Sequence, residues 1–278
     1  MSKTKSAPSP WDSPIFQPLL HEAGLAAQTL CIGLTTLRKA NYQQTERYYG
    51  GFFNYTIGLE RVMKLTILLD SLVEDGNFLS DQQLKSAYGH DLNKLLDAVQ
   101  EIRVKLDESE LRWQLPHPDI IDDAVVFLAE FAKTTRYYNL DVLSGKTPSL
   151  DPVARWFQIV GKPLLDKRPA WQTLRNAGRA SAVAGLIGDK MLIRSITEDG
   201  IPVDSVEEAA IAERNSEYVA KEGTFLCAAL ARHVIEVLCD RGLAARGAGH
   251  VIPAFGDFFA LFNNRDDLLK NRRSFSIR

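Results

Sequence analysis

A chain of 278 residues with 45% hydrophobic and 24% charged side chains can bury a sizeable core, which excludes disordered and fibrous proteins. The formal charge of −2 excludes a general attraction to nucleic acid or to anionic membranes, so any such binding needs a local basic patch. Three cysteines, no secretion signal and no apolar run of roughly 20 residues predict a cytoplasmic protein without a disulfide framework, metal site, cofactor or membrane span.

The proline- and serine-rich start, residues 1–13, predicts a disordered tail. We expect Ser13 to cap a first helix that has Pro14 in its first turn and continues to about Ala40. The next helix has the clearest pattern, because five apolar side chains recur at steps of four and three. They predict one buried stripe: Tyr48, Phe52, Tyr55, Leu59 and Val62.

Gly51 and Gly58, one heptad apart on the second helix, predict that a partner helix packs close to its backbone.

Two further helices complete the first half of the chain. A helix whose buried face begins at Leu92 follows, and another runs from Pro118 to a stop at Gly145. No alternating strand pattern interrupts these four helices, so the sequence predicts an all-α class with antiparallel neighbours.

The second half of the chain, residues 146–278, predicts a helical extension with a basic end. A short aromatic helix begins at Pro152, and an alanine- and glycine-rich helix follows it. Asp204 or Ser205 offers a capping box for a long helix that we expect to stop at Gly242. A phenylalanine-rich segment, PAFGDFFALFNN, comes before the basic end.

Three segments of the first half together resemble the HEPN superfamily (higher eukaryotes and prokaryotes nucleotide-binding domains): FFNYTIGLERVMKL, YGHDLNKLL and RYYNLD. The resemblance covers residues 14–145 and implies an antiparallel up-and-down helical bundle that often dimerises. Many members are similar metal-independent ribonucleases of phage-defence or toxin–antitoxin systems, whereas others are inactive.

The motif of the active members is an arginine followed, after four to six residues, by a histidine on the last core helix. Histidine titrates in the range needed to take the 2′-hydroxyl proton of RNA, and a guanidinium stabilises the extra charge on phosphorus. Here Arg136 holds the arginine position and Asp141 replaces the histidine. Since an exposed aspartate is a weaker proton acceptor, the resemblance implies RNA binding and leaves cleavage open.

Two histidines offer alternatives to Asp141. His90 or Asp91 can cap the helix that follows Gly89, so the sequence favours a structural role for His90 unless the bundle brings it beside Arg136. Arg112 and His117 have the spacing of the family motif, but prolines on both sides of His117 disfavour a continuous helix. The candidate catalytic residues are therefore Arg136, Asp141 and His90.

Residues 155–194 carry eight basic side chains against two acidic ones, with aromatic residues among them. Such a mixture is typical of nucleic-acid contacts, although a solvated helix face looks the same. We predict RNA contacts at Tyr137 and Asn139 beside Arg136, and at Arg168, Arg175 and Arg179 in the basic stretch. The expected partners are RNA and either a second copy or another protein of the same system.

A non-catalytic assembly module is the alternative function. The absence of a histidine at the family position favours it, and so does the segment FGDFFALF, which we expect could dock another chain.

Overall fold

A computed structural model describes residues 9–106, 111–146 and 150–277 of the protein. The described chain is helical except for one pair of short antiparallel strands, which confirms the predicted all-α class. Its elements, in chain order, are α1 (Phe16–Leu37), α2 (Glu46–Asp75), α3 (Asp81–Ala87), α4 (Leu92–Val104), α5 (Pro118–Lys133), α6 (Tyr138–Leu143), α7 (Pro152–Trp156), α8 (Lys162–Asp166), α9 (Ala170–Ile187), β1 (Ser195–Ile196), β2 (Pro202–Val203), α10 (Val206–Gly247), α11 (Phe255–Phe258) and α12 (Asp266–Asn271).

Helices α1 and α2 form a tight antiparallel hairpin. A Cβ atom on Gly58 would lie 2.6 Å from the backbone nitrogen of Leu30, and one on Gly33 would lie 2.5 Å from that of Tyr55. The two backbones therefore touch, as Gly51 and Gly58 predicted. Gly33 supplies the matching surface on α1, a role that its sequence context did not indicate.

Helix α10 runs through the centre of the molecule beside α2. The Tyr55 hydroxyl donates a hydrogen bond of 2.7 Å to the carbonyl of Cys227, and further along the Arg241 guanidinium lies 3.6 Å from Asp70. Because the contacts advance along both helices in the same direction, α10 is parallel to α2. Ser205 begins α10 as the predicted capping box.

One hydrophobic core draws on both halves of the chain. Side chains of α1, α2, α4, α5, α7 and α10 belong to it, including the whole predicted stripe of α2. Phe255, Phe259 and Phe262 are also buried in this core. These phenylalanines pack inside their own chain, so they are not free to dock another protein.

The prediction of one continuous helix from Pro118 to Gly145 is wrong, because helix α5 ends at Lys133 and the helical backbone is interrupted at Thr134. There the backbone leaves the helical region (φ −131°, ψ −53°), and a 3-10 turn over Thr135–Tyr137 leads into α6. The amide of Thr134 still donates to the carbonyl of Glu130 at 2.9 Å, and its hydroxyl donates to the same oxygen at 3.0 Å.

Two predicted helix boundaries are also wrong. α10 continues through Gly242 to Gly247, and a Cβ at Gly242 would lie 2.7 Å from the Phe255 ring, so this glycine makes room for packing. Ser13 does not cap α1, since its hydroxyl donates instead to the carbonyl of Val251 at 3.2 Å. Of the predicted tail, residues 1–8 lie outside the described residues, and Pro10–Asp12 form a 3-10 turn.

Within residues 9–106, 111–146 and 150–277, no helix combines the length and apolar character that crossing a bilayer requires.

The α1–α2 contact can be tested with one methyl group. Gly58→Ala is expected to lower the free energy of unfolding by about 2 kcal/mol, because the methyl has no room against the Leu30 backbone. In the exposed part of α9 a Cβ on Gly178 would meet nothing within 4 Å, so Gly178→Ala should raise stability by about 0.5–1 kcal/mol. Urea denaturation followed by circular dichroism measures both. Equal effects of the two substitutions would contradict close packing at Gly58.

Candidate functional site

A pocket of about 340 Å³ lies between α2, α5 and the corner before α4. It brings His90 and Arg136 to one cavity, although 46 positions of sequence separate them. We call it the His90–Arg136 pocket, and its lining consists of Phe53, Thr56, Ile57, Glu60, His90, Phe131, Ala132, Lys133 and Arg136.

The corner that carries His90 is built by its neighbours in sequence. Gly89 adopts a left-handed conformation (φ +54°), which glycine accepts without strain, and turns the chain into α4. Asp91, not His90, caps α4 by accepting a hydrogen bond from the amide of Asn93 at 3.1 Å. Lys133 at the end of α5 donates to Asp91 at 2.6 Å, and this bond lowers the pKa of the Asp91 carboxyl. The corner is thus fixed to α5.

His90 is held through one ring nitrogen only. Its Nδ1 lies 2.8 Å from Oε1 of Glu60, and the same oxygen accepts a hydrogen bond of 2.7 Å from Lys64. Since a carboxylate can only accept, Nδ1 donates, and in the neutral ring Nε2 keeps its lone pair. The His90 side chain is 81% exposed, whereas that of Glu60 is 19% exposed. A half-buried carboxylate therefore orients an accessible base.

Arg136 is the cation on the other side of the pocket. It lies on the 3-10 turn after α5, and its guanidinium carbon is 5.0 Å from the centroid of the Tyr137 ring. In the part of the chain that the structure describes, no carboxylate lies within 4.0 Å of this guanidinium. Arg136 is therefore available to an anion, and the pairing with a nearby acid that would make it purely structural is absent there.

The other predicted residues of RYYNLD lie outside this cavity lining. Asp141 sits on α6, beyond the break at Thr134, and accepts a hydrogen bond of 2.6 Å from Lys146. Tyr137 and Asn139 are exposed beside Arg136. The pocket therefore places His90 with Arg136. Asp141, which the sequence analysis compared with a motif histidine, is paired with Lys146 outside the pocket.

The predicted arginines of the second half gather at a different place. Arg175 and Arg179 of α9 line a pocket of about 210 Å³ that also contains Arg38, Arg214 and Lys221. Arg168 is next to it, since its guanidinium carbon lies 5.3 Å from the ring of a lining residue, Tyr218. We call this cavity the α9–α10 basic pocket.

Arg112 and His117 are not joined by a helix, as their flanking prolines indicated. His117 has φ +48° at the start of α5 and is exposed. The backbone amide of Arg112 donates to Glu236 at 2.6 Å.

Sequence reasoning missed Glu60 and Lys133 as parts of the site. Glu60 and Lys64 have the spacing of an ordinary i,i+4 surface pair, and this pair forms. The contact that gives Glu60 a further role comes from a residue 30 positions away, which spacing along one helix cannot indicate. Lys133 likewise meets Asp91 across 42 positions.

Comparisons with protein-family models, with curated proteins and with solved structures found no match for this chain.

His233 is a core histidine, as its apolar neighbours in the sequence predict. Its ring is buried and Nε2 lies 3.0 Å from the side-chain amide nitrogen of Gln100. Burial, together with the charges of Arg103 and Arg232, lowers the pKa of His233 from 6.5 to about 4. The folded protein thus keeps this ring neutral at pH values where the unfolded chain protonates it.

The stability of the folded protein depends on pH through His233. Stability is lost as the pH falls from 6.5 towards 4, because only the unfolded state takes up the proton in that range. His233→Gln should remove about 2 kcal/mol of the loss between about pH 7 and pH 5. Urea denaturation at both pH values measures it, with the exposed His21→Gln as control. A variant that loses as much stability as the wild type would contradict a neutral buried His233.

Proposed function

We propose that this chain binds RNA and cleaves it without a metal ion in the His90–Arg136 pocket. One observation carries the proposal: an accessible histidine, oriented by Glu60, shares a cavity with a guanidinium that has no described carboxylate partner. A base and a phosphate-binding cation are the two groups that this reaction needs.

The pocket residues supply those two groups to the reaction as follows. Arg136 binds the non-bridging oxygens of a phosphodiester and stabilises the negative charge that grows on them. His90 takes the 2′-hydroxyl proton through Nε2, while Glu60 stabilises the resulting imidazolium. The 2′-oxygen bonds to phosphorus, the bond from phosphorus to the 5′-oxygen breaks, and that oxygen takes a proton from water. The hydroxide that remains takes the proton from the His90 imidazolium, which restores the neutral ring. The products are a 2′,3′-cyclic phosphate and a 5′-hydroxyl.

This proposal assigns the role of base to His90 and gives Asp141 no part in proton transfer, because Asp141 already pairs with Lys146. Tyr137 and Asn139, exposed beside Arg136, are placed to contact the bases that flank the scissile phosphate. Arg168, Arg175 and Arg179 offer a second basic surface to RNA. The proposal also includes an HEPN-like up-and-down bundle and a role in a prokaryotic defence or stress system; of these, the antiparallel α1–α2 hairpin agrees only with an up-and-down arrangement of helices.

A non-catalytic assembly module is the second candidate function. Helix α9 favours it, because Ala180 is its one buried residue while Trp171, Leu174 and Leu186 are largely exposed. Exposed apolar side chains on one helix are typical of a surface that another protein covers. A second copy of the chain, or another protein of the same system, is the partner that this candidate implies.

Cleavage can be tested with an oligoribonucleotide and single substitutions. His90→Ala and Arg136→Ala are each expected to lower the cleavage rate by about a hundredfold or more, since each removes a group that acts in the transition state. Glu60→Gln should cost about tenfold, because the amide no longer stabilises the imidazolium. Gel electrophoresis of labelled RNA measures the rates.

The matched controls are His21→Ala and Arg265→Ala, which remove an exposed histidine and an exposed arginine outside the pocket. An oligomer with a 2′-deoxyribose at the cut site should stay intact, and EDTA should leave the rate unchanged. Wild-type protein that cuts no RNA, or equal rates for His90→Ala and His21→Ala, would overturn the proposal in favour of the assembly module.

A further inference from the structure

The α9–α10 basic pocket is lined by more positively charged side chains than negatively charged ones. Its charged lining comprises five cations and one carboxylate: Arg38, Arg175, Arg179, Arg214, Lys221 and Glu217. The carboxylate is already engaged, since Glu217 accepts a hydrogen bond of 2.9 Å from Arg214. Among residues 9–106, 111–146 and 150–277, the remaining four cations have no carboxylate within 4.0 Å.

One of these cations comes from outside α9 and α10. Arg38 follows the last residue of α1, and its half-buried side chain lines the cavity. Burial is the main reason that the pKa of Arg38 is lowered, and the charge of Arg273 adds to it. A phosphate group in the cavity would bring negative charge close to this half-buried cation.

Neutral donors complete the cavity around the cations. Gln172 and Asn176 lie on the face of α9 that packs towards α10, and Tyr218 lies opposite on α10. The Trp171 ring packs against Arg175, and its centroid lies 4.9 Å from the guanidinium carbon. A small cavity with several guanidinium groups and amide donors is suited to compact anions that carry more than one charge.

We propose that the α9–α10 basic pocket binds an oligophosphate group, either the 5′-triphosphate end of an RNA or the phosphate chain of a free nucleotide. A single internal phosphodiester brings one negative charge, whereas four unpaired cations require a denser ligand. The cavity of about 210 Å³ has room for a short phosphate chain and not for a nucleic-acid duplex. This site does not depend on cleavage in the His90–Arg136 pocket.

Binding can be measured by calorimetry with inorganic pyrophosphate as the probe. Arg175→Ala/Arg179→Ala is expected to weaken pyrophosphate binding by about tenfold or more, because it removes two charged hydrogen-bond donors. Both arginines are on exposed positions of α9, so the fold should survive, and circular dichroism checks this. The matched control is Lys190→Ala/Arg194→Ala, which removes two exposed cations of the same basic stretch outside the cavity.

A second set of probes distinguishes the two sources of the phosphate chain. Adenosine triphosphate is compared with 2′-O-methyl oligonucleotides that carry a 5′-triphosphate or a 5′-hydroxyl and that cannot be cleaved through a 2′-hydroxyl. Tighter binding of the 5′-triphosphate oligomer assigns the site to an RNA end, and equal binding of adenosine triphosphate assigns it to a free nucleotide. Equal affinities for the two oligomers, or pyrophosphate binding that survives the α9 substitutions, would overturn the proposal.

Discussion

The contact between α1 and α2 is the constraint on which the rest of the structure depends. Glycines at Gly33 and Gly58 let the two backbones touch, and this closeness fixes the rotation of α2 about its own axis. One face of α2 is thereby committed to α1 and the core, including Tyr55 and its bond to α10. The face that remains carries Phe53 and Glu60, which become the floor of the His90–Arg136 pocket.

The chemistry proposed for that pocket depends on how Glu60 is shared. Its Oε1 accepts hydrogen bonds from both Lys64 and His90, and through the second of these the half-buried side chain orients the imidazole. A carboxylate behind a histidine sets which nitrogen carries the proton, and it stabilises the ring once a second proton arrives. Lys133 fixes the corner before α4 in a similar way, because it donates a hydrogen bond to Asp91. Two contacts between separate helices thus turn an exposed loop histidine into a positioned base.

Local signals in the sequence were sufficient for much of the helical framework. The apolar stripe of α2 follows from spacing alone, and the capping box at Ser205 and the aspartate cap at Asp91 follow from short-range hydrogen bonding. The Ser80–Gln83 capping box that opens α3 was present in the sequence and was missed. These features were predictable because each depends on residues within one or two helical turns.

The remaining features depend on distant residues. Glycine often ends a helix, but Gly242 lies within α10. Its lack of a side chain leaves room for the Phe255 ring, which packs where a Cβ atom would be. The break at Thr134 moves Asp141 away from Arg136, and no periodicity separates a broken helix from a continuous one there. The meeting of His90 with Arg136 likewise requires the relative placement of α2, α4 and α5, which helix periodicity does not contain.

Both pockets contain cations that have no described carboxylate partner. Some cations of this chain are paired with carboxylates inside the molecule: Arg103 binds Glu236, and the buried Arg232 binds Asp266. Arg136 and Arg38 differ from these two, because each lines a cavity without a described carboxylate partner. Leaving like charges unpaired destabilises a fold, and a bound anion offsets that cost. A net charge of −2 is therefore compatible with phosphate binding, because several unpaired cations that line one cavity attract an anion locally.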